Sequence, residues 1–145
     1  MLNQVAPEFS LESTIGQPVN LKDLLGGYIV LVFYPWNECP VCIKHLGNMS
    51  FNAQQLFENN VRVFGVNTGS PNKSKEFCLR RKLEFPILSD PGGVTAKKYG
   101  AFMKWLPFNK RVSVVIDPQG KICFYKHGTP PAEEIIAYIK QAVAA

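Results

Sequence analysis

The feature that most constrains this chain is an unbroken apolar run, Tyr28-Ile29-Val30-Leu31-Val32-Phe33-Tyr34. It is β-branched and aromatic, as a strand buried on both faces should be. Val61-Arg62-Val63-Phe64-Gly65-Val66-Asn67 has the same character and predicts a second such strand. Between them Ile43, Leu46, Ala53, Leu56 and Phe57 recur at near-helical spacing, which predicts one helix from about residue 40 to 58. Strand, long helix and strand make a βαβ crossover, so the two strands should be parallel. The expectation is an α/β architecture.

The rest of the chain adds elements to that nucleus. Ser70-Pro71 reads as an N-cap followed by proline at the first helical position, opening a helix to about Lys82. Phe85 to Leu88 predicts a short strand, and Asp90-Pro91-Gly92-Gly93 a turn before a short helix ending near Gly100. Val112 to Ile116 and Lys121 to Tyr125 are strand-like and flank Asp117-Pro118-Gln119-Gly120, a β-turn, so they predict an antiparallel hairpin. Thr129-Pro130 is expected to cap a final helix whose Ile135, Ile136, Ile139 and Val143 form one apolar stripe. Without repeats, low-complexity tracts or linkers, residues 1–145 read as a single domain. The order of elements resembles the thioredoxin fold: a central mixed β-sheet flanked by helices, with a C-terminal β-hairpin and helix. An extra helical insertion precedes the hairpin.

Composition narrows the class of function. A hydrophobic fraction of 46% with 19% charged residues is ordinary for a soluble globular protein. The longest apolar run, Tyr28 to Trp36, is far short of the roughly 18 residues that suggest a membrane span. The N-terminus lacks the basic segment and apolar stretch of a secretory signal, so a cytoplasmic protein is expected. The net charge of +5 is divided, with Arg80, Arg81 and Lys82 in one predicted element and Lys97 and Lys98 in another. A nucleic-acid binder gathers such charge on one face, so solvated surface is the expectation and nucleic acid is not an expected partner. Four cysteines are too few for a disulfide scaffold at this length, which leaves redox catalysis or metal binding.

Cys39-Pro40-Val41-Cys42 falls where the first strand gives way to the helix. Unpaired N–H groups and the helix dipole favour an anion there, and a thiolate is such an anion. Helix N-termini and nearby cations bring thiol pKa values from near 8.5 to roughly 3.5–7.5, which supplies a nucleophile at neutral pH. A zinc half-site of Cys39, Cys42 and His45 falls short of four ligands, and His127 is alone and distant in sequence. Redox or nucleophilic chemistry is therefore expected, with no metal and no cofactor. The spacing alone leaves open which kind.

A wider set of segments carries a resemblance. Ala6-Pro7-Glu8-Phe9, Gly16-Gln17-Pro18-Val19-Asn20-Leu21 and Val30-Leu31-Val32-Phe33-Tyr34-Pro35 resemble the opening of a peroxiredoxin, in particular the bacterioferritin-comigratory or PrxQ branch. The resemblance continues through Phe85-Pro86-Ile87-Leu88-Ser89-Asp90-Pro91, Ala96-Lys97-Lys98-Tyr99-Gly100 and Arg111-Val112-Ser113-Val114-Val115-Ile116-Asp117, covering nearly the whole chain. Peroxiredoxins carry Pro-x-x-x-Thr/Ser-x-x-Cys around the peroxide-attacking cysteine. Here the stretch reads Pro35-Trp36-Asn37-Glu38-Cys39-Pro40-Val41-Cys42. The resemblance thus gives Cys42 the peroxidatic role and Pro35 a shielding role. It places Cys39 where a hydroxyl residue stands, and His45 where the branch commonly has Glu or Gln. Arg111, six residues before Asp117, takes the place of the arginine that stabilises the thiolate and binds peroxide oxygens.

The resemblance implies a thiol-dependent peroxidase acting on hydrogen peroxide or organic hydroperoxides. Cys42 becomes a sulfenic acid, and a second thiol condenses with it to a disulfide reduced by thioredoxin or a similar dithiol. Cys78, on the helix after the second strand, is the first candidate for that resolving thiol, and Cys39 is the alternative. A Cys42–Cys78 bridge should require the first turn of the active-site helix to unwind. The branch also implies a monomer. Two other functions stay open: a thioredoxin-like dithiol-disulfide oxidoreductase using Cys39 and Cys42, and a non-enzymatic redox sensor. Cys123, between Ile122 and Phe124, reads as packing. Trp36, Phe102, Trp105 and Phe108 read as packing or as an apolar mouth. His45, one turn beyond Cys42, reads as a solvent-facing residue or a proton relay.

Overall fold

Residues 1–144 are described by a computed structural model. Seven strands form one mixed sheet: β1 Ser10–Ser13, β2 Val19–Asn20, β3 Tyr28–Phe33, β4 Val61–Asn67, β5 Ile87–Ser89, β6 Val112–Ile116 and β7 Ile122–His127. Their order is β2-β1-β5-β4-β3-β6-β7. The expected parallel pair is at its centre, with Tyr28 opposite Val61 and Phe33 opposite Val66. β5 continues parallel to β4, and β6 and β7 complete the expected antiparallel hairpin on the other side of β3. The helices are α1 Pro40–Phe51, α2 Ala53–Glu58, α3 Pro71–Arg81, α4 Val94–Lys98 and α5 Ala132–Ala144.

The apolar runs are continuous because the sheet is buried on both faces. Val30, Val32 and Tyr34 join one core with residues of α1, α2, α3 and α5, whereas Ile29, Leu31 and Phe33 join a second with Phe9, Ala96 and Tyr99. Alternate side chains of a strand point to opposite faces, so neither face of β3 tolerates a polar break. None of the helices among the described residues is long and apolar enough to cross a membrane.

Four expectations are corrected in detail. The helix predicted over 40–58 is broken at Asn52, whose backbone is non-helical (φ −98°, ψ 8°) and whose Nδ2 donates to the Asn48 carbonyl at 2.8 Å. An asparagine amide that bonds its own helix in this way competes with continuation of the helix. The final helix is not capped by Thr129-Pro130. It starts at Ala132, and Asn48 Oδ1 of α1 accepts the Ala132 N–H at 2.8 Å. Val143 leaves the predicted stripe and is exposed, while Ile135, Ile136 and Ile139 are buried. The third strand covers Ile87–Ser89 rather than 85–88, because Phe85 packs into the core ahead of it. The N-terminal hairpin of β1 and β2, turning at Gly16 (φ 84°), carries too few residues to read from periodicity.

Candidate active site

The site is built at the end of β3. Tyr34 N–H still bonds the Val66 carbonyl of β4 (3.2 Å), then the chain turns. Cys39 N–H closes that turn onto the Trp36 carbonyl (3.2 Å), and Pro40 opens α1 at its first position, where a missing N–H costs nothing. Cys39 is the N-cap: its backbone is extended (φ −65°, ψ 117°) and its Sγ accepts the Cys42 N–H at 3.3 Å. Cys39 and Cys42 are joined as a disulfide with their Cα atoms 5.1 Å apart. The first turn of α1 carries no acidic residue, and the positive end of the helix faces these sulfurs, while Glu38 just ahead of the cap is paired with Arg80.

Both sulfurs are close to the core. Cys42 is 1% exposed and Cys39 5%, against Val32, Tyr34 and Leu46. Pro35 is buried in the turn beside them. Arg111 precedes β6 and is exposed; continuing the Phe33–Val112 register by one step places it opposite Tyr34, at the end of the sheet where α1 begins. Its carbonyl accepts the Gly128 N–H at 2.9 Å.

Cys78 lies elsewhere on the same side of the sheet. It is half-buried on α3, with Sγ 4.0 Å from Thr14 Oγ1, an atom that also accepts the Ile87 N–H at 3.1 Å. Burial pushes the Cys78 thiol up, and the Thr14 contact offsets part of that. Cys123 donates to the Val115 carbonyl at 3.5 Å and packs under α5 against Tyr138. Burial, aided by Asp117, pushes its thiol up to about 11, which suits a packing residue.

His45 is not solvent-facing. Its Nε2 lies 2.8 Å from the Pro130 carbonyl, and burial holds its pKa below the usual 6.5, against the smaller opposing effect of that carbonyl. The neutral ring donates to Pro130 and ties α1 to the segment before α5. Asn48 and Asn52 add bonds to Glu133 at 3.2 and 3.1 Å.

Among Trp36, Phe102, Trp105 and Phe108, the rings of Trp36 and Phe108 meet, edge to face at 5.1 Å. Phe102 stacks beneath Lys97, and Trp105 is 85% exposed. The four therefore do not form one mouth.

Sequence reading missed a buried polar cluster beside the turn. Tyr34 OH donates to Asn37 Oδ1 at 2.6 Å, and Asn67 Nδ2 donates to Tyr34 OH at 2.9 Å and to Asn37 Oδ1 at 2.8 Å. Asn67 Oδ1 accepts from the Gly69 N–H at 3.0 Å and from Ser74 Oγ of α3 at 3.5 Å. The signal available in sequence is Asn67 itself, an amide at the buried end of an otherwise apolar strand.

Comparisons with known proteins agree with this arrangement. The pattern of the AhpC/TSA family matches residues 2–125. Peroxiredoxin Bcp of Escherichia coli K12 is 32% identical over 124 residues, spanning 81% of this chain and 80% of that protein. Among solved structures, Enterococcus faecalis AhpC superposes with a TM-score of 0.90 at 26% identity, covering 97% of this chain and 91% of its own. Peroxidoxin BcpB of Mycobacterium tuberculosis gives 0.88 at 26% identity, covering 97% and 96%. By sequence and by fold, the chain belongs to the AhpC/TSA family of peroxiredoxins, in its bacterioferritin-comigratory branch.

Proposed function

We propose that the protein is a thiol-dependent peroxidase in which Cys42 attacks hydrogen peroxide or an organic hydroperoxide and Cys39 closes the resulting disulfide. The observation that carries this reading is the placement of both sulfurs at the N-terminus of α1, with Cys39 Sγ on the Cys42 N–H. The Cys42 thiolate attacks the peroxide, the O–O bond breaks, and an alcohol or water leaves while Cys42 becomes a sulfenic acid. The Cys39 thiolate then displaces hydroxide from Cys42 Sγ, which is protonated to water as the S–S bond forms. A dithiol reductant of the thioredoxin type returns both thiols and leaves as a disulfide.

Arg111 supports the thiolate and the developing charge on the peroxide oxygens, and Pro35 keeps water from the attacking sulfur. Support for these roles is the register of Arg111 at the α1 end of the sheet and the burial of Pro35 in the turn. Cys78 serves as a second resolving thiol, reached when the first turn of α1 unwinds. The same reading has one domain, residues 1–145, acting as a monomer in the cytoplasm. The free thiols of Cys78 and Cys123 suit a reducing compartment.

Peroxide treatment followed by disulfide mapping tests this. The wild type and the Cys78→Ser protein should both yield Cys39–Cys42, and Cys42→Ser should consume peroxide at least about a thousandfold more slowly. Peroxide reacting with the wild type no faster than with a free thiol rules the reading out. Insulin-disulfide reduction that depends on Cys39 and Cys42, without peroxide turnover, would replace it with the dithiol-disulfide oxidoreductase.

A further inference from the structure

The buried cluster around Asn67 takes no part in the steps above, yet it governs where one of the two sulfurs sits. Asn67 spends both amide hydrogens on Tyr34 and Asn37, and its oxygen accepts from Gly69 and Ser74. A fully satisfied buried amide of this kind rigidifies the groups around it, because any movement leaves a polar atom unpaired. Asn37 is the second residue of the turn that Cys39 N–H closes onto the Trp36 carbonyl. Fixing Asn37 Oδ1 with two short bonds therefore fixes the orientation of the turn, and the turn ends on Cys39.

The cluster is itself well seated. A Cβ on Gly65 would lie 3.2 Å from the Tyr34 ring, so the tyrosine lies directly on the β4 backbone. Cys42 has different support. It sits inside α1, which is held by its own hydrogen bonds, by Leu46 and Met49 in the core and by the His45–Pro130 contact. Cys39 also belongs to α1 as its N-cap, its carbonyl accepting the Ile43 N–H at 2.9 Å and its Sγ the Cys42 N–H, so the turn is a restraint on Cys39 in addition to the helix that holds Cys42.

We infer that Asn67, acting through Tyr34 and Asn37, is a positioning residue for the disulfide-forming step. It holds Cys39 Sγ within reach of oxidised Cys42 and does not act on the peroxide. This rests on the reading that Cys39 condenses with Cys42. The condensation is an intramolecular displacement whose rate depends on the effective concentration of one sulfur at the other, and about 1 Å of misplacement costs up to roughly a hundredfold. A loosened turn lengthens the life of the sulfenic acid and exposes it to a second peroxide, giving sulfinic acid.

Stopped-flow fluorescence of Trp36 with hydrogen peroxide separates the two steps, since oxidation scales with peroxide and ring closure does not. The lead variant is Tyr34→Phe, which keeps the ring on Gly65 and removes only the hydroxyl; Asn67→Ala is the stronger one. Closure is expected to slow about tenfold in Asn67→Ala and about threefold in Tyr34→Phe, which leaves the direct Asn67–Asn37 bond in place. The effects should not multiply in the double variant, because both act by loosening Asn37. The second-order oxidation step should move less than twofold, and sulfinic acid per turnover should rise. Thermal melts identify folded variants, and Tyr34→Phe decides the matter if Asn67→Ala does not fold. Unchanged closure in a folded variant, or equal slowing of both steps, overturns the inference. A wild type that forms no Cys39–Cys42 disulfide instead removes the reading beneath it.

Discussion

Cys39 and Cys78 are the two thiols proposed to resolve Cys42, and their surroundings differ in almost every respect that governs a thiol. Cys39 caps the N-terminus of a 12-residue helix, where backbone N–H groups favour negative charge, and its turn is anchored through the half-buried Asn37 to the buried Tyr34, Asn67 and Ser74. Cys78 lies in the last turn of α3, where its carbonyl accepts the capping Lys82 N–H; its thiol is against a neutral hydroxyl, and burial raises its pKa. One is close in sequence and already placed. The other stands on a different helix, half-buried against Thr14. The backbone, more than the residue type, decides which of two chemically identical groups responds first.

The sharpest way to break the comparison is to remove the first thiol. In Cys39→Ser, Cys42 should still be oxidised, but the disulfide formed should be Cys42–Cys78, closing at least about a hundredfold more slowly. Hydrogen exchange should show the first-turn amides of α1 losing protection in that product, whereas in the wild type they keep it. Cys78→Ser slowing wild-type closure to the same extent would reverse the order of the two thiols.

A smaller effect concerns what keeps α1 wound. The folded pKa of His45 lies below its unfolded value near 6.5, so the unfolded chain binds more protons in the window between them. The stability contributed by the neutral ring is complete above about 6.5 and is lost as pH falls through the folded value. The melting temperature should therefore drop on going from pH 7.5 toward pH 5, and His45→Gln, which retains an N–H donor but does not titrate, should flatten that drop. Equal slopes in the two proteins would show that His45 contributes nothing to acid sensitivity.

The smallest effect is expected on the surface. Glu38 and Arg80 link the active-site turn to α3 at 3.0 Å, but their side chains are 61% and 56% exposed. Solvent screens such pairs, so Glu38→Gln should change stability by less than about 1 kcal/mol and leave ring closure untouched. A larger effect on closure would move the control of Cys39 from the buried amides to the surface charge.

Much of the fold was legible because it rests on local patterns. The two apolar strands, the cap at Ser70 and the turn at Asp117 are each specified within a few residues, and each forms as expected. The cysteine pair was legible for the same reason, since its position at a strand-to-helix junction carries its chemistry. The failures share a different cause. Thr129-Pro130 looks like a cap, but the acceptor that starts α5 is Asn48, 84 residues away. Asn67 and Ser74 look like ordinary polar residues until the sheet brings β3 beside β4 and α3 over them. Partners that are distant in sequence leave no periodicity to read.

The clasp between α1 and α5 also has a consequence in time. The ribosome makes residues 40–52 long before residues 130–133, so the newly made chain holds its reactive cysteine pair without the His45–Pro130, Asn48–Ala132 and Asn52–Glu133 contacts. The helix that arms the thiols gains its last restraints only when the C-terminal segment arrives. In a half-made protein α1 is therefore held by its own hydrogen bonds and by the part of the core already made, and the C-terminal segment adds its clasp last.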